Sequence, residues 1–439
     1  MIKKVLLTAA LLAPGLAYGQ VSAPLDPTVV PAGTVGTFQA NFSDVHQTID
    51  GFGGADYFSS DWRPFADQLF CVNATDPGCA NPGIGLHLLR QGVEAGAGNV
   101  PYAQAAVARG ATIWITPWTP NGATPGNSST YSSFVNAVTS YIRMMSSNGI
   151  STYGSTSQNE PDCGCNGGSV WSAAQTAALD DVLGPALHSA GVKLLSPETS
   201  DPAAFNNYHS AITGDPTANA QVDIWSTHQY GNIFNATPDS SRHSWETEFA
   251  ANSGGNGTYD PSIADAVSQL TTVHDALSYF SVNAWHYWWV SSTATRFNAM
   301  LINTDNSGSN ALPKRYFAMG NWSRYVRPGW VRIGVTGSLS GIYGVTAFKN
   351  PSTGDFAIVV INSSGSDIPN LTFSVGGASA SGSVTPYVTS GTPIGPLGSD
   401  GNLSAGSVSS SVPASIPVSN NSFTSTVPYG VTTFVGRAL

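Results

Sequence analysis

Carboxylates are scarce in this chain, and several stand beside amides and rings at the ends of apolar runs. Asn159 and Glu160 precede Pro161 where the run from Thr152 closes. Glu246 and Glu248 lie two apart at the end of another run, beginning at His243. Arg90, Trp118, His228, Tyr230 and Trp288 end four more. Two facing carboxyls in an aromatic-lined cleft suit cleavage of a glycosidic bond. One holds a proton for the leaving oxygen, and the other is ionised to attack the anomeric carbon or to activate water. Aromatic rings pack against the apolar faces of sugars. Other chemistries lack their residues. There is no Gly-x-Ser-x-Gly elbow for a serine hydrolase. The Gly51–Gly54 stretch lacks the Gly-x-Gly-x-x-Gly spacing and helix start of a phosphate loop. The cysteines have no further Cys or His ligands adjacent to them. No cofactor and no metal are expected.

These residues converge only if the elements carrying them share one end of a scaffold. Eight short apolar runs are candidate strands: Ile49–Gly53, Ile84–Val93, Ala111–Pro117, Thr152–Ser157, Val192–Ser196, Val222–Thr227, His243–Glu248 and Val282–Val290. Helical periodicity lies between several of them, over 130–148, 170–190 and 262–280, the first two stopped by Gly149 and Gly191. Strands alternating with helices imply a parallel sheet, and eight strands over about 250 residues suffice for a closed (β/α)8 TIM barrel. Active sites of such barrels sit at the carboxyl ends of the strands, which puts all the residues above at one mouth. Past about Arg327 the helical period vanishes. Short β-branched runs separated by Gly, Ser, Pro and Asn predict a small antiparallel β-sandwich, with 376–424 read mainly as its loops. Val29–Phe42 has the same character and is expected to lend it a strand, so the side domain draws on both termini. The division is a secretory signal over 1–19, sandwich strand over 20–46, barrel over 47–326 and sandwich over 327–439.

The first residues carry Lys3 and Lys4, an apolar run from Val5 to Ala13 and small residues near Ala17. That pattern reads as an export signal, too short for a membrane anchor. The 439-residue chain has a formal net charge of −10, and only 10% of its residues are charged. A surface of Ser, Thr, Asn and Gly suits an exported protein with a neutral polar substrate. The scarcity of lysine and arginine argues against nucleic acid and anionic membranes as partners. Four cysteines, Cys71, Cys79, Cys163 and Cys165, favour two disulfides in an exported chain, most simply Cys71–Cys79 and Cys163–Cys165 among three connectivities. Nothing in the sequence sets an oligomeric state, and a monomer is the expectation.

An ordered set of segments resembles glycoside hydrolase family 30. They are QTIDGFGGADYF (47–58), SQNEP (157–161), WSTHQYG (225–231), SWETE (244–248), YWW (287–289) and KRYFAMGNWSRYVRPGWVRI (314–333). The resemblance implies Glu160 as general acid/base, Asn159 as a hydrogen-bond donor to the sugar 2-hydroxyl, and Glu248, rather than Glu246, as nucleophile of a retaining enzyme. It implies that Arg90 keeps the nucleophile ionised, that His228 and Tyr230 belong to the site, and that Trp118 and Trp288 serve as sugar platforms. Pro161 should hold Glu160 in extended backbone. Adjacent residues of a regular strand face opposite ways, so Asn159 and Glu160 can share the site only if the strand breaks there. The implied substrates are xylans, β-1,6-galactans or β-glucosides including glucosylceramide, and the tail looks most like the bacterial xylan-cleaving members. Those that need a glucuronate branch resemble Trp-Trp followed closely by an arginine. Here the counterpart of that arginine is Ser292, with Arg296 nearby. A β-1,4-xylanase without strict glucuronate dependence is therefore expected, its partner a polysaccharide or oligosaccharide. A non-catalytic carbohydrate-binding protein is the rival of another class.

Overall fold

The computed structural model describes residues 36–119, 122–165, 169–251, 259–293, 298–391 and 395–439. The expected export signal and Arg296 lie outside them. Strand β1 (Thr37–Thr48) precedes nine further strands: β2 (Gly51–Ala55), β3 (Leu88–Gly92), β4 (Thr112–Thr116), β5 (Thr152–Thr156), β6 (Lys193–Thr199), β7 (Ile224–Thr227), β8 (His243–Phe249), β9 (Ala284–Ser292) and β10 (Met300–Asn303). Strands β2 to β9 pair in parallel in chain order, and β8 pairs with β9 to close an eight-stranded barrel. Each expected strand is present. The first is displaced by two residues, because Ile49 and Asp50 instead bond the chain ahead of β11 and β9 through Trp330 and Asn283 carbonyls. Strand β10 adds in parallel to β9 outside the barrel and was not expected.

Helices α1 (Ala66–Phe70) to α8 (Lys314–Ser323) surround the barrel, α3 (Tyr131–Ser147), α4 (Ala173–Ser189) and α7 (Ile263–Asp275) lying where the apolar period predicts. Helix α5 (Pro202–Gly214) was missed by periodicity but has a clear start signal. The Asp201 carboxylate accepts from the Ala203 N–H at 2.9 Å and Pro202 occupies the first turn. Inside the barrel, Leu88, Trp114, Leu195, Ile224, Trp245 and Ala284 form an apolar layer. Trp114 and Trp245 meet edge-on at 5.9 Å. This layer is the floor on which the polar residues nearer the strand ends stand.

The remaining strands are β11 (Val331–Thr336), β12 (Ile342–Lys349), β13 (Asp355–Asn362), β14 (Ile368–Gly376), β15 (Ser383–Ser390), β16 (Asn402–Ala405), β17 (Ile416–Pro417), β18 (Ser422–Val427) and β19 (Gly430–Arg437). They join β1 in one curled sheet of order β16-β15-β19-β13-β12-β11-β1-β14-β18, with β17 on β15. All its pairings are antiparallel except β1 with β14. The stretch read mainly as loops contributes β15, whose run was expected, and β16, β17 and the start of β18, whose short runs lie among Ser and Gly. Phe38, Phe373, Phe423 and Phe434 anchor its core, with Phe373 and Phe434 at 4.8 Å. Helix α8 is the seam with the barrel. All ten of its residues are buried, and the buried Lys314 ammonium donates to Ser390 O, Gly401 O and Asn402 Oδ1 at 2.6–2.7 Å. Among the described residues no helix is long and apolar enough to cross a membrane.

Candidate active site

The carboxyl ends of β3, β5, β6, β7 and β8 bring one buried charged cluster together. Arg90, on β3, is fully buried and uses its whole guanidinium. Nε donates to Thr116 Oγ1 at 3.0 Å and Nη2 to Asn159 Oδ1 at 2.5 Å. Nη2 also lies 3.0 Å from Glu198 Oε1, and Nη1 pairs with Glu248 Oε2. The other Glu248 oxygen, Oε1, accepts from the Tyr230 hydroxyl at 2.7 Å. His228 Nδ1 lies 3.1 Å from Glu160 Oε1, and its Nε2 lies 3.2 Å from Glu198 Oε1 and 3.7 Å from Glu248 Oε2. One oxygen each of Glu160 and Glu248 and a nitrogen of His228 all lie within 4.8 Å of one another.

Glu160 reaches this cluster through a backbone departure. Strand β5 ends at Thr156, and Glu160 sits at φ +48°, in the left-handed region rather than the extended one that Pro161 suggests. Tertiary bonds override the local preference. The Glu160 N–H donates to Glu198 O at 3.0 Å, and Glu160 O accepts from the Cys163 and Gly164 N–H groups at 3.3 Å. Glu198, facing it from β6, is itself at φ +64°. Non-glycine residues in this region store strain that surrounding structure must hold, and such residues cluster at functional sites. Asp162 does much of the holding. Its carboxylate accepts from Ser200 N at 2.7 Å, Ser200 Oγ at 2.8 Å and Asp201 N at 3.2 Å, tying the loop after β5 to the end of β6. The disulfide Cys163–Cys165 lies in the same loop, and Cys71–Cys79 is the other.

The electrostatics follow from burial and mutual contact. Burial opposes charge on His228, but Glu248, Glu160 and Glu198 outweigh it and push its pKa up to about 10. His228 is thus a cation with two N–H donors. Burial raises Glu198 too, yet Arg90 and His228 prevail and hold it below the usual carboxylate range. For Glu248, burial prevails over His228 and Arg90 and lifts the carboxyl above its ordinary value. Burial likewise keeps Tyr230 a neutral donor, well above its ordinary pKa.

Glu246, two residues before Glu248, belongs to a different layer. Its carboxyl oxygens accept from the backbone N–H groups of Glu248 and His286, both at 3.0 Å. Burial pushes it well above the carboxylate range. The sequence spacing puts both glutamates on one strand face, but only Glu248 contacts Arg90 and Tyr230.

Trp118 and Trp288 stand at the mouth, 3% and 9% exposed, with ring centroids 5.3 Å apart. Trp118 lies 4.9 Å from the Arg90 guanidinium. Tyr57 packs on Trp118 at 4.6 Å, and the half-exposed Phe58 meets it edge-on at 5.8 Å. Sequence reasoning missed Tyr57, Phe58 and Glu198. The first two sit in the quoted ADYF stretch, and no local signal marks the third. Asn159 Nδ2 is buried and has no hydrogen bond among the described residues, while the Oδ1 of the same amide is held by Arg90.

No family model matches the chain. A curated relative does, along nearly its whole length. The glucuronoxylanase of Bacillus subtilis strain 168 is 26% identical over 95% of this chain and 96% of its own. Among solved structures, the glycoside hydrolase family 30 subfamily 8 xylanase of Clostridium acetobutylicum superposes with a TM-score of 0.74 at 25% identity, covering 92% of this chain and all of that one. These full-length likenesses support assignment to glycoside hydrolase family 30. The catalytic domain of the family 30 xylanase C of Talaromyces cellulolyticus shares the fold, with a TM-score of 0.73 at 20% identity over 92% of this chain. The ordered segments that suggested the family supply Asn159, Glu160, His228, Tyr230 and Glu248 to one cluster, which Arg90 of β3 joins from outside them.

Proposed function

We propose that the chain is an exported retaining β-glycoside hydrolase that cleaves β-1,4-xylan without a strict need for a glucuronate branch. The observation that carries the mechanism is the approach of Glu160 and Glu248 oxygens to within 4.8 Å. Retaining enzymes hold their carboxyls about 5–5.5 Å apart, whereas inverting ones need about 6.5–9.5 Å to admit a water between carboxyl and sugar. Glu248 is the nucleophile. Arg90 and Tyr230 engage its two oxygens and aim it. Glu160 is the acid. Its Oε1 faces His228 Nδ1, while Oε2 has the Cys163 sulfur at 3.9 Å beside it, leaving that oxygen to carry the proton for the leaving group. Attack of Glu248 on the anomeric carbon breaks the bond to the leaving oxygen, which takes the Glu160 proton. Glu160, now ionised, takes a proton from water as that water displaces Glu248 from the sugar. Asn159 Nδ2 supplies a donor to the sugar hydroxyl nearest the reacting carbon.

Xylan as the substrate rests on the xylanases and the glucuronoxylanase that the chain resembles. Independence of glucuronate rests on Ser292. It is 2% exposed, and it pairs with Asn303 of β10. A serine cannot make the two-point pair that an arginine makes with a carboxylate. Export is supported by two disulfides, which persist in oxidising compartments.

The test is product analysis on plain xylan, glucuronoxylan, β-1,6-galactan and an aryl β-glucoside, with the initial anomer followed by NMR. Release of β-configured xylo-oligosaccharides from both xylans, lost in Glu248→Gln, is the expected result. Initial release of the α-anomer refutes the retaining mechanism. Cleavage of glucuronoxylan alone refutes the independence, and cleavage of galactan or glucoside alone refutes the substrate. Sugar binding without hydrolysis makes the chain a carbohydrate-binding protein.

A further inference from the structure

Glu198 is not among the residues that sequence reasoning brings to the site, yet its carboxyl meets as many groups of the cluster as that of Glu248. It is completely buried. Oε1 lies 3.0 Å from Arg90 Nη2 and 3.2 Å from His228 Nε2, and Oε2 accepts from Thr247 Oγ1 at 2.9 Å. Its carbonyl oxygen receives the Glu160 N–H. It therefore holds the residue that contacts each proposed catalytic carboxyl: His228 beside Glu160, and Arg90 on Glu248.

Its charge has a specific consequence. The groups facing the cluster are Arg90 from β3, Glu160 from beyond β5, Glu198 from β6, His228 and Tyr230 from beyond β7, and Thr247 and Glu248 from β8, with Glu246 and His286 in the layer beneath. Arg90 and a protonated His228 are the cations. Burial leaves His286 neutral, with its pKa lowered to about 4, and Glu246 is pushed well up. If Glu160 is to hold a proton beside the His228 cation, two other negative charges must offset the two cations. Glu248 supplies one. Glu198 is the remaining buried carboxylate in contact with both cations.

We propose that Glu198 is a positioning residue and fixed counter-charge for the proton-donating step, holding His228 and Arg90 in place and keeping Glu160 able to carry its proton beside a cationic imidazole. The proposal rests on the reading of Glu160 as the acid and Glu248 as the nucleophile. Removing the charge leaves the cluster one unit more positive. His228 keeps its attraction to Glu248, the first-named pull toward its protonated form, and its contact to Glu160. A proton on the acid then becomes less favourable, and the alkaline limb of activity moves to lower pH. Opposite charges a few ångströms away move such limbs by about 1–3 units, and an effect relayed through His228 belongs at the lower end, about one unit.

The experiment is kcat/KM against pH for wild type, Glu198→Gln and Glu198→Asp, on two aryl β-xylosides. One has a leaving group that needs protonation, and the other has a leaving group acidic enough to need none. For the first substrate, the alkaline limb of Glu198→Gln is expected about one pH unit lower, and largely restored in Glu198→Asp. The second substrate is expected to show no such displacement. A uniform loss at every pH on both substrates, or an unmoved limb, overturns the proposal, since a purely structural role gives that pattern. Should Glu198→Gln not fold, Thr247→Val removes the hydroxyl bonded to Oε2. A smaller downward displacement supports the proposal, and an unmoved limb overturns it. Glu160→Gln on the same two substrates tests the underlying assignment separately. An equal loss on both rejects Glu160 as the acid, whatever Glu198 does.

Discussion

Replacing Tyr230 by Phe removes one hydroxyl and leaves the ring. That hydroxyl donates to Glu248 Oε1 at 2.7 Å, the oxygen that Arg90 does not hold. A hydrogen bond to a charged group contributes about 1.5–3 kcal/mol, and Arg90 still holds the other oxygen, so the lower figure applies. The bond favours the ionised carboxyl, so losing it raises the Glu248 pKa further above its ordinary value. At about 1.4 kcal/mol per unit, the rise is about one pH unit. The ionised form attacks, so activity is lost as pH falls through this group. The acid limb of kcat/KM for the free enzyme is expected to move up by about one unit in Tyr230→Phe. The alkaline limb should stay in place, because Glu160 and its contact to His228 are untouched. The assay is initial rates on a soluble aryl β-xyloside between pH 3 and pH 10, with thermal unfolding checked at each extreme. An acid limb that stays put while activity drops evenly would refute the reasoning, because Tyr230 would then serve the site without tuning Glu248.

The two neighbouring glutamates should fail in opposite ways. Glu248→Gln is expected to keep its stability and lose hydrolysis. Glu246→Gln turns an amide NH2 toward one of two backbone N–H donors, and should lose about 1–3 kcal/mol in urea unfolding while remaining active at low temperature. Gly53→Ala would set a Cβ 2.6 Å from both Leu88 O and the His286 ring, so overpacking of about 1–3 kcal/mol or more is expected, read as a lowered denaturation midpoint. Asp162→Ala removes three hydrogen bonds that tie the Glu160 loop to β6. It should lower kcat on xylan more than it raises KM, and a change in KM alone would separate this loop from the chemistry.

The barrel was legible because each strand buried on both faces reads as a near-continuous apolar run, and Ile113, Trp114 and Ile115 illustrate it. Helices with one apolar stripe were legible for the same reason. Helix α8 was not. Lys314, Arg315 and Asn321 are polar yet buried, because Lys314 and Asn321 bond carbonyls of the sandwich and Arg315 bonds the Met300 carbonyl beside the barrel, and no apolar period survives. In the site, residues inside recognisable segments could be found in advance. Glu198 could not. In the stretch Leu-Leu-Ser-Pro-Glu-Thr it reads as a turn acid before a helix, and its role appears only when Arg90, His228 and Thr247 arrive from three other strands. The backbone of Glu160 was misjudged because the preference imposed by Pro161 is local, whereas its bond to Glu198 O comes from across the sheet.

Strand β1 lies between β11 and β14, so one of the earliest described segments finds its neighbours only after the whole barrel has been made. A ribosome must therefore deliver the whole barrel and β11, which ends at Thr336, before this ladder can begin. Until then β1 presents bare amide edges, of the kind that invite pairing with another chain. Contacts so remote along the chain slow folding. That delay makes premature stops costly. A fragment ending after the barrel would lack every neighbour of β1, and is expected to aggregate rather than hydrolyse.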